Sequence, residues 1–139
     1  MNLDLQDHRT LALWAADCAE HVLGLCGRLS TGDDRPRRAV EAARAWARGE
    51  VTVGEARAAA FTAHAAEDPG ARAAARSAGH AAATAHVDGH AAHAASYAVT
   101  AAGATPPGEA DAAARERGWQ RCHLPEYLWP VAFPDRGEG

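Results

Sequence analysis

The amino-acid sequence predicts an all-α fold, a single-domain helical bundle of about six helices. Alanine, the best helix former, fills a large share of the 139 positions, whereas isoleucine is absent. No stretch shows the apolar–polar alternation that is typical of half-buried strands. We therefore expect a helical bundle domain over residues 1–125. An extended aromatic C-terminal strap over residues 126–139 is predicted to pack on it and to be flexible at its last residues.

The first helix is predicted from about Gln6 to Leu29 and carries the strongest amphipathic pattern of the chain. Its apolar stripe recurs every three or four positions and consists of Leu11, Trp14, Ala15, Cys18, Val22, Leu25 and Leu29. Asp17 and His21 lie on the flank of this stripe, four positions apart, where Asp17 could orient the His21 ring. Cys18 lies in the middle of the stripe, which favours a small buried thiol over a catalytic one.

Proline and capping residues delimit the second and third helices. Pro36 suits the first position of a helix, so the second helix is predicted from Pro36 to about Arg48. Thr52 and Glu55 have the spacing of a capping box, in which each side chain bonds the other residue's backbone N–H. The third helix is therefore predicted to begin there and to end at residues 68–69.

Three further helices are predicted. The fourth covers residues 70–87, and the fifth continues to about residue 102. A linker over residues 103–108 separates the fifth from the sixth, which covers residues 109–123. The pair Asp88-Gly89 either breaks the histidine-rich helical segment or merely bends it. After the last helix, aromatic residues alternate with prolines, which predicts an extended strap rather than a helix.

Charge and residue usage exclude several classes of function. The formal net charge of −4 is not the basic footprint of a nucleic-acid-binding protein. All 14 positive side chains are arginine, so there is no lysine for a P-loop or a Schiff base. The 3 cysteines form no paired framework, which indicates a reducing compartment. Because no signal peptide or membrane-spanning apolar run is present, the sequence predicts a cytoplasmic protein with no nucleic-acid or membrane partner.

Histidines are concentrated in one alanine-rich segment, residues 79–97, which holds four of the 8 in the chain. If this segment is one continuous helix, four residues lie on one narrow stripe of its surface: His86, His90, His93 and Tyr97. Their spacing is i, i+4, i+7 and i+11. A stripe normally given to Leu or Val is thus given to imidazole and phenol. We interpret this segment as the centre of the functional site.

The histidines leave several roles open. Two histidines at i, i+4 can share a zinc ion, but a third at i+7 lies about 10 Å along the helix from the first. The remaining zinc ligands would therefore have to come from other parts of the chain. The candidate metal ligands are His86, His90 and His64. The candidate acid–base groups of an enzyme are His64, His80, His86, His90, Asp17 and His21. The remaining alternative is an internal polar network or a solvated surface. We expect no cofactor, with a divalent metal such as zinc as the alternative.

Charged residues at the start of the second helix are the candidate partner-binding residues. Arg35 and Arg38 lie beside two aspartates in a mixed-charge turn that could bind an anion or a partner's carboxylate. Glu41 and Tyr97 complete the predicted binding set. A solvated helix start is the alternative interpretation of this turn.

Five blocks of sequence carry a resemblance to a known family. They are WAADCAE at residues 14–20, DRPRRAVEAARAW at 34–46, AHAA at 63–66, GHAAATAH at 79–86 and WQRCHLP at 119–125. In this order they resemble the immunity protein family of bacterial polymorphic toxin systems. The resemblance implies an intracellular, alanine-rich, all-helical protein that neutralises a toxin. The chain departs from the family pattern at His90 and His93 and after Pro125.

The function expected from these observations is that of a cytoplasmic immunity-type protein, which binds and neutralises a protein toxin. The alternative is a small enzyme, or a ligand- or metal-binding protein, that uses a histidine-lined cleft between helices for acid–base chemistry on a small molecule. The sequence leaves the oligomeric state open.

Overall fold

Most of the residues described by the computed structural model are helical. The structure describes residues 3–25, 33–64, 72–104 and 111–134. Within these ranges there is no strand, and the α-helices are α1 (Leu5–Leu25), α2 (Arg35–Ala47), α3 (Val53–His64), α4 (Arg72–Ala83), α5 (His90–Ala104), α6 (Ala112–Cys122) and α7 (Trp129–Ala132). A 3-10 helix, Glu126–Leu128, precedes α7. The predicted all-α class is confirmed.

The central helix is α4, which packs against α1, α2, α3 and α5. Every buried residue of α4 is an alanine, a serine or a glycine. Because such side chains project little from the backbone, neighbouring helix axes can approach closely. The bulky part of the core comes mainly from α1, where Leu11, Trp14 and Leu23 are almost completely buried.

Buried hydrogen bonds from side chains to backbone carbonyls join the helices. Trp14 Nε1 of α1 donates to the carbonyl of Gln120 on α6 at 2.9 Å. Gln120 Nε2 in turn donates to the carbonyl of Ala95 on α5 at 2.9 Å, and Ser77 Oγ of α4 donates to the neighbouring carbonyl of Ala94 at 2.7 Å. Since a buried polar group without a partner is costly, these bonds favour one arrangement of the four helices.

The histidine-rich segment is not one continuous helix, so Asp88-Gly89 breaks it and the condition for a single stripe is not met. The helix α4 ends at Ala83 and α5 begins at His90. The backbone between them forms i, i+3 hydrogen bonds, such as that from His86 N to Ala83 O at 3.0 Å. Asp88 and Gly89 lie in this turn, which suits residues that favour turns over helices. As a result, His86 lies in the turn and not on the helix that carries His90.

Residues outside α4 stabilise its C-terminal end. The carbonyl of Thr84 accepts a hydrogen bond from His8 Nε2 of α1, and Thr84 Oγ1 donates to the carbonyl of His80 at 2.9 Å. The His8 ring also packs on Trp46 of α2, with ring centroids 4.6 Å apart. Because the last carbonyls of a helix lack intrahelical donors, these contacts fix the start of the α4–α5 turn against α1 and α2.

The segment after Pro125 packs on the bundle, but the extended conformation predicted for it is wrong. Residues 126–132 form the 3-10 helix and α7. Pro130 occupies the second position of α7, where its missing N–H costs nothing because no intrahelical acceptor exists there. Leu128 is fully buried, and Phe133 packs edge-on against Trp14 with ring centroids 5.5 Å apart. The strap therefore contributes to the core.

Some expectations fall on residues outside the described ranges. They are the predicted end of the first helix beyond Leu25, the predicted end of the third helix at residues 68–69, and the flexibility predicted for residues 135–139. Among the helices that the structure describes, none is both long and apolar enough to span a bilayer.

Candidate functional site

Aromatic rings of α4 and α5 form a histidine cluster, which consists of His80, His90, His93 and Tyr97. His80 Nδ1 lies 3.0 Å from His90 Nδ1, and the His80 ring lies 5.2 Å from that of His93. The His80 ring also stacks on Tyr97 at 5.3 Å, and the Arg76 guanidinium lies 5.9 Å from the Tyr97 ring centroid. Three of the four predicted stripe residues therefore meet, but their partner from α4 is His80 rather than His86.

An open pocket lies beside this cluster, between α3 and the α4–α5 turn. We call it the Phe61 pocket; it has a cavity volume of about 210 Å³ and is lined by Arg57, Ala60, Phe61, His80, Ala83, His86 and His90. Phe61 is 71% exposed, more than any other large apolar side chain of the described residues. The structure thus brings the predicted site residues His80, His86 and His90 to the wall of one pocket.

A second site lies between the end of α1 and α6. We call it the Glu116 groove; it has a cavity volume of about 460 Å³ and is lined by Asp17, Glu20, His21, Gly24, Leu25, Trp119 and His123. Glu116 itself is buried beside the groove, and its Oε1 lies 2.8 Å from His21 Nδ1. The two atoms are at hydrogen-bond distance without hydrogen-bond geometry, so the contact is mainly electrostatic.

Burial controls the ionisation of two groups near this groove. It raises the pKa of the Glu116 carboxyl, and the nearby His21 and His123 rings oppose that rise only in part. Burial also raises the pKa of the Cys18 thiol well above its ordinary value, with the charges of Glu116 and Asp17 adding to the effect. Cys18 is fully buried, as predicted, and a thiol held in its neutral form is a poor nucleophile.

The indole of Trp119 is held between two imidazoles in the Glu116 groove. The His21 ring stacks on it at 4.0 Å and the His123 ring at 4.1 Å. His123 Nδ1 lies 2.7 Å from the Trp119 carbonyl, which can only accept, so this nitrogen carries the proton. Because Trp119 lies between them, the two imidazoles cannot both reach one metal ion at the bond lengths that zinc requires, about 2.0–2.1 Å.

Asp17 does not orient His21, contrary to the prediction. Arg44 of α2 binds it instead, with Nη2 2.7 Å from Asp17 Oδ1, and makes two further bonds of 2.9 and 3.0 Å to Glu20. These bonds lower the pKa of Glu20 and raise that of Arg44. A guanidinium carries a permanent charge and several donors, so it is a stronger partner for Asp17 than an imidazole on the same helix.

The predicted binding residues of α2 each pair with a neighbour of opposite charge. The pairs are Arg35 with Asp33 at 2.7 Å, Arg38 with Asp34 at 2.9 Å and Glu41 with Arg37 at 3.2 Å. Arg35 lowers the pKa of Asp33 to about 2 through these hydrogen bonds. Tyr97, the fourth predicted binding residue, belongs to the histidine cluster, and partner binding by these four residues stays a prediction.

The predicted metal ligands are placed only in part. His64 ends α3, and its side chain lies outside what the structure describes, whereas His86 and His90 line the Phe61 pocket. Over the described ranges, no group of three or more His, Cys, Asp or Glu side chains is arranged to hold a metal ion. Zinc binding therefore stays a prediction.

Sequence reasoning missed Glu116, Trp119 and Phe61 as site residues. Glu116 and Trp119 are three positions apart and His123 follows four later, so one face of α6 carries all three, and this signal was readable. Their contact with His21 was not readable, because it joins distant parts of the chain. Phe61 is exposed on α3, which its large apolar side chain does not predict from the sequence alone.

Comparison with known proteins gives a family match. A sequence model of the family described as Imm-5 like putative immunity protein matches residues 1–127. No curated protein and no solved structure matches the chain. The matched range contains α1 to α6 and therefore the histidine cluster, the Phe61 pocket and the Glu116 groove.

Proposed function

Because the chain belongs to the Imm-5 like putative immunity protein family, we propose that it neutralises a protein toxin by binding it. Membership of this family indicates an immunity-type role. The observation that carries the proposal is the extent of the match, residues 1–127, which includes both candidate sites. Binding as the route to immunity is supported by the exposed surface around Phe61.

The Phe61 pocket is the surface that we assign to the toxin. Phe61 is 71% exposed, and Val53 and Val87 are 37% and 45% exposed. Val53, Arg57 and Phe61 follow one another at intervals of four along α3, so they form one exposed stripe. Aromatic residues and arginine are enriched at protein interfaces, where they often anchor the contact.

Rigid elements carry this surface. One wall belongs to α3, and the other is formed by the end of α4, the α4–α5 turn and the start of α5. The first residue of that turn, Thr84, is hydrogen-bonded to His8 of α1. The histidine cluster packs behind the same wall, with His80 and His90 in contact at 3.0 Å. A surface that is ordered before binding loses less conformational entropy in the complex, which favours the tight binding that neutralisation requires.

Coexpression with any toxin domain found to be encoded next to this gene in its source genome tests the proposal. We expect the wild-type protein to restore growth and to form a complex with the purified toxin domain. Phe61→Ser should weaken the complex by about tenfold or more, because it removes an apolar anchor. Leu5→Ser, which removes a side chain of 54% exposure from the start of α1, is the matched control and should change little. A wild-type protein that neither binds nor protects refutes the proposal.

A second candidate function, a small enzyme or ligand-binding protein, is supported by the Glu116 groove. Its volume of about 460 Å³ lies within the range of small-molecule sites, about 300–1,000 Å³. A carboxylate next to an imidazole is an arrangement that orients a catalytic base. In this reading His21 is the acid–base group and Glu116 positions it.

Stoichiometry separates the two candidate functions. A binding protein protects only when it is present in at least equal amount to the toxin, whereas an enzyme protects at much lower amounts. His21→Ala should leave protection intact under the first function and remove it under the second. Substoichiometric protection that disappears in His21→Ala would favour the enzyme.

A further inference from the structure

We propose that the Phe61 pocket receives a carboxylate side chain of the toxin, Asp or Glu, with a neighbouring apolar side chain packed on Phe61. This inference rests on the proposed function, since it specifies the chemistry of the partner at the same surface. The side chains that carry it are Arg57, His86 and Phe61.

The charge of the pocket favours an anion. Among the described residues that line it there is an arginine and there are three histidines, but no carboxylate. Arg57 is exposed and permanently protonated. Glu55, two positions before it, accepts hydrogen bonds from Thr52 N and Oγ1, both at 3.2 Å, at the start of α3. Asp88 lies in the α4–α5 turn but does not line the pocket, so a carboxylate from the partner meets Arg57 directly.

The imidazoles add hydrogen-bond donors to the wall. The 3.0 Å contact between His80 Nδ1 and His90 Nδ1 requires one ring to donate and the other to accept. When both rings are neutral, the accepting ring must carry its proton on Nε2. His86, which is exposed in the turn, presents a further imidazole to the pocket. The His86 imidazole beside the Arg57 guanidinium is complementary to carboxylate oxygens.

The size and the apolar part of the pocket specify the occupant further. Its volume of about 210 Å³ is below the usual range of small-molecule sites, about 300–1,000 Å³, and suits a single side chain. Ala60 and Ala83 line it together with Phe61, so the stem of the entering side chain meets apolar surface. Val87, which follows His86 in the chain, is also exposed. The complementary segment therefore pairs an acidic residue with an apolar one.

Charge reversal at Arg57 tests the inference. The affinity of the purified toxin domain is measured by calorimetry for the wild-type protein and for Arg57→Glu, Arg57→Gln and Arg117→Glu. Arg57→Glu should weaken binding at least about tenfold, because two carboxylates then repel each other, and Arg57→Gln should weaken it less. Arg117→Glu, the matched control, reverses an exposed charge on α6 outside the Phe61 pocket and should change affinity about twofold or less. Thermal melting, monitored by circular dichroism, verifies that each variant folds.

A charge exchange in the toxin identifies its contacting residue. Each surface Asp and Glu of the toxin domain is replaced by Lys, and the variants are titrated against Arg57→Glu. One toxin variant should restore the lost affinity, since it recreates an ion pair with the opposite polarity.

The outcomes distinguish this inference from the proposed function. If the wild-type protein does not bind the toxin domain, both fail. If it binds, and Arg57→Glu binds as tightly as Arg117→Glu, the inference fails while the proposed function stands. If Arg57→Glu weakens binding and no charge exchange restores it, the toxin group at the pocket is not a carboxylate and the inference is overturned.

Discussion

Two carboxyl groups beside the same groove are driven towards opposite protonation states. Glu20 lies at the surface, and its hydrogen bonds to Arg44 lower its pKa. Glu116 is buried, and the loss of hydration raises its pKa although His21 lies 2.8 Å away. Arg44 carries a permanent charge that stabilises an anion, whereas an imidazole carries a charge only when it is protonated. The environment of each side chain, and not its type, therefore sets its charge.

Glu116→Gln should stabilise the protein increasingly as the pH rises. A carboxyl whose pKa is raised by folding contributes most to stability below its unfolded pKa, about 4.3, and this contribution is lost as the pH rises through the folded pKa. Glutamine has no charge to bury, so only the wild-type protein loses stability in this window. Urea unfolding between about pH 4 and pH 8 should show a free-energy difference that grows with pH.

The control for this prediction is Glu41→Gln. Glu41 has a side-chain exposure of 61% and pairs with Arg37 at 3.2 Å, so its replacement should give a small difference. A difference for Glu116→Gln that does not change with pH would show that burial does not control this carboxyl.

His90→Leu should destabilise the protein more than His86→Leu. His90 contacts His80 at 3.0 Å, and its removal takes away the hydrogen-bond partner of His80 Nδ1. An unsatisfied buried polar group costs about 1–3 kcal/mol, and the half-buried position of His80 places the expected loss towards the lower value. His86 is exposed in the turn, so leucine there should leave the unfolding free energy nearly unchanged. Equal melting temperatures for the two variants would contradict the assignment of His80 as the centre of the cluster.

Among the helical elements, the C-terminal segment has the clearest structural role. Tyr127 Oη donates to Asp7 Oδ1 at 2.6 Å, and Phe133 packs on Trp14. Trp129 Nε1 donates to the carbonyl of Leu124 at 3.1 Å and so closes the short turn before α7. The segment therefore covers two separate parts of α1.

Leu128→Ala should lower the free energy of unfolding by about 2–5 kcal/mol, because Leu128 is fully buried and alanine would leave a cavity. Truncation after Pro125 should cost more, since it removes the whole cover. Tyr127→Phe, which deletes one exposed hydrogen bond, is the control and should cost about 1 kcal/mol. A truncated protein with an unchanged melting temperature but no affinity for the toxin domain would show that the segment is an interface.

The bundle as a whole is packed with small side chains. Alanines make up most of its buried apolar residues, and the central helix α4 buries only alanine, serine and glycine. Each alanine removes little apolar surface from water, so stability depends on many close contacts between helices rather than on a few large side chains. Such a core has little room for larger residues.

Ala78→Leu should destabilise the protein, whereas Ala58→Leu should not. Ala78 is fully buried on α4, and added methylenes in a close-packed core cost about 1–3 kcal/mol. Ala58 is exposed on α3, and the same change there tests helix propensity alone. Urea unfolding of both variants measures the difference, and equal stabilities would show that α4 is loosely packed.

The helices could be predicted from the sequence because the forces that begin and end them act locally. The second helix was predicted from Pro36 to about Arg48 and is observed over Arg35–Ala47. The capping box at Thr52 and Glu55 forms as predicted, with Glu55 N donating to Thr52 Oγ1 at 3.1 Å and Thr52 N donating to Glu55 Oε1 at 3.2 Å. Alanine content, caps and turn residues act within a few positions, so they can be read along the chain.

The sites depend on contacts that no local pattern contains. Periodicity placed His90, His93 and Tyr97 on one face, but the turn after Ala83 brought His80 against them. In the same way, Asp17 binds Arg44 of α2 rather than His21. The side chain that contacts His21 is Glu116 of α6. Helical spacing determines which side chains share a face, whereas the packing of distant segments determines what each face meets and therefore which groups are buried, paired or open to a partner.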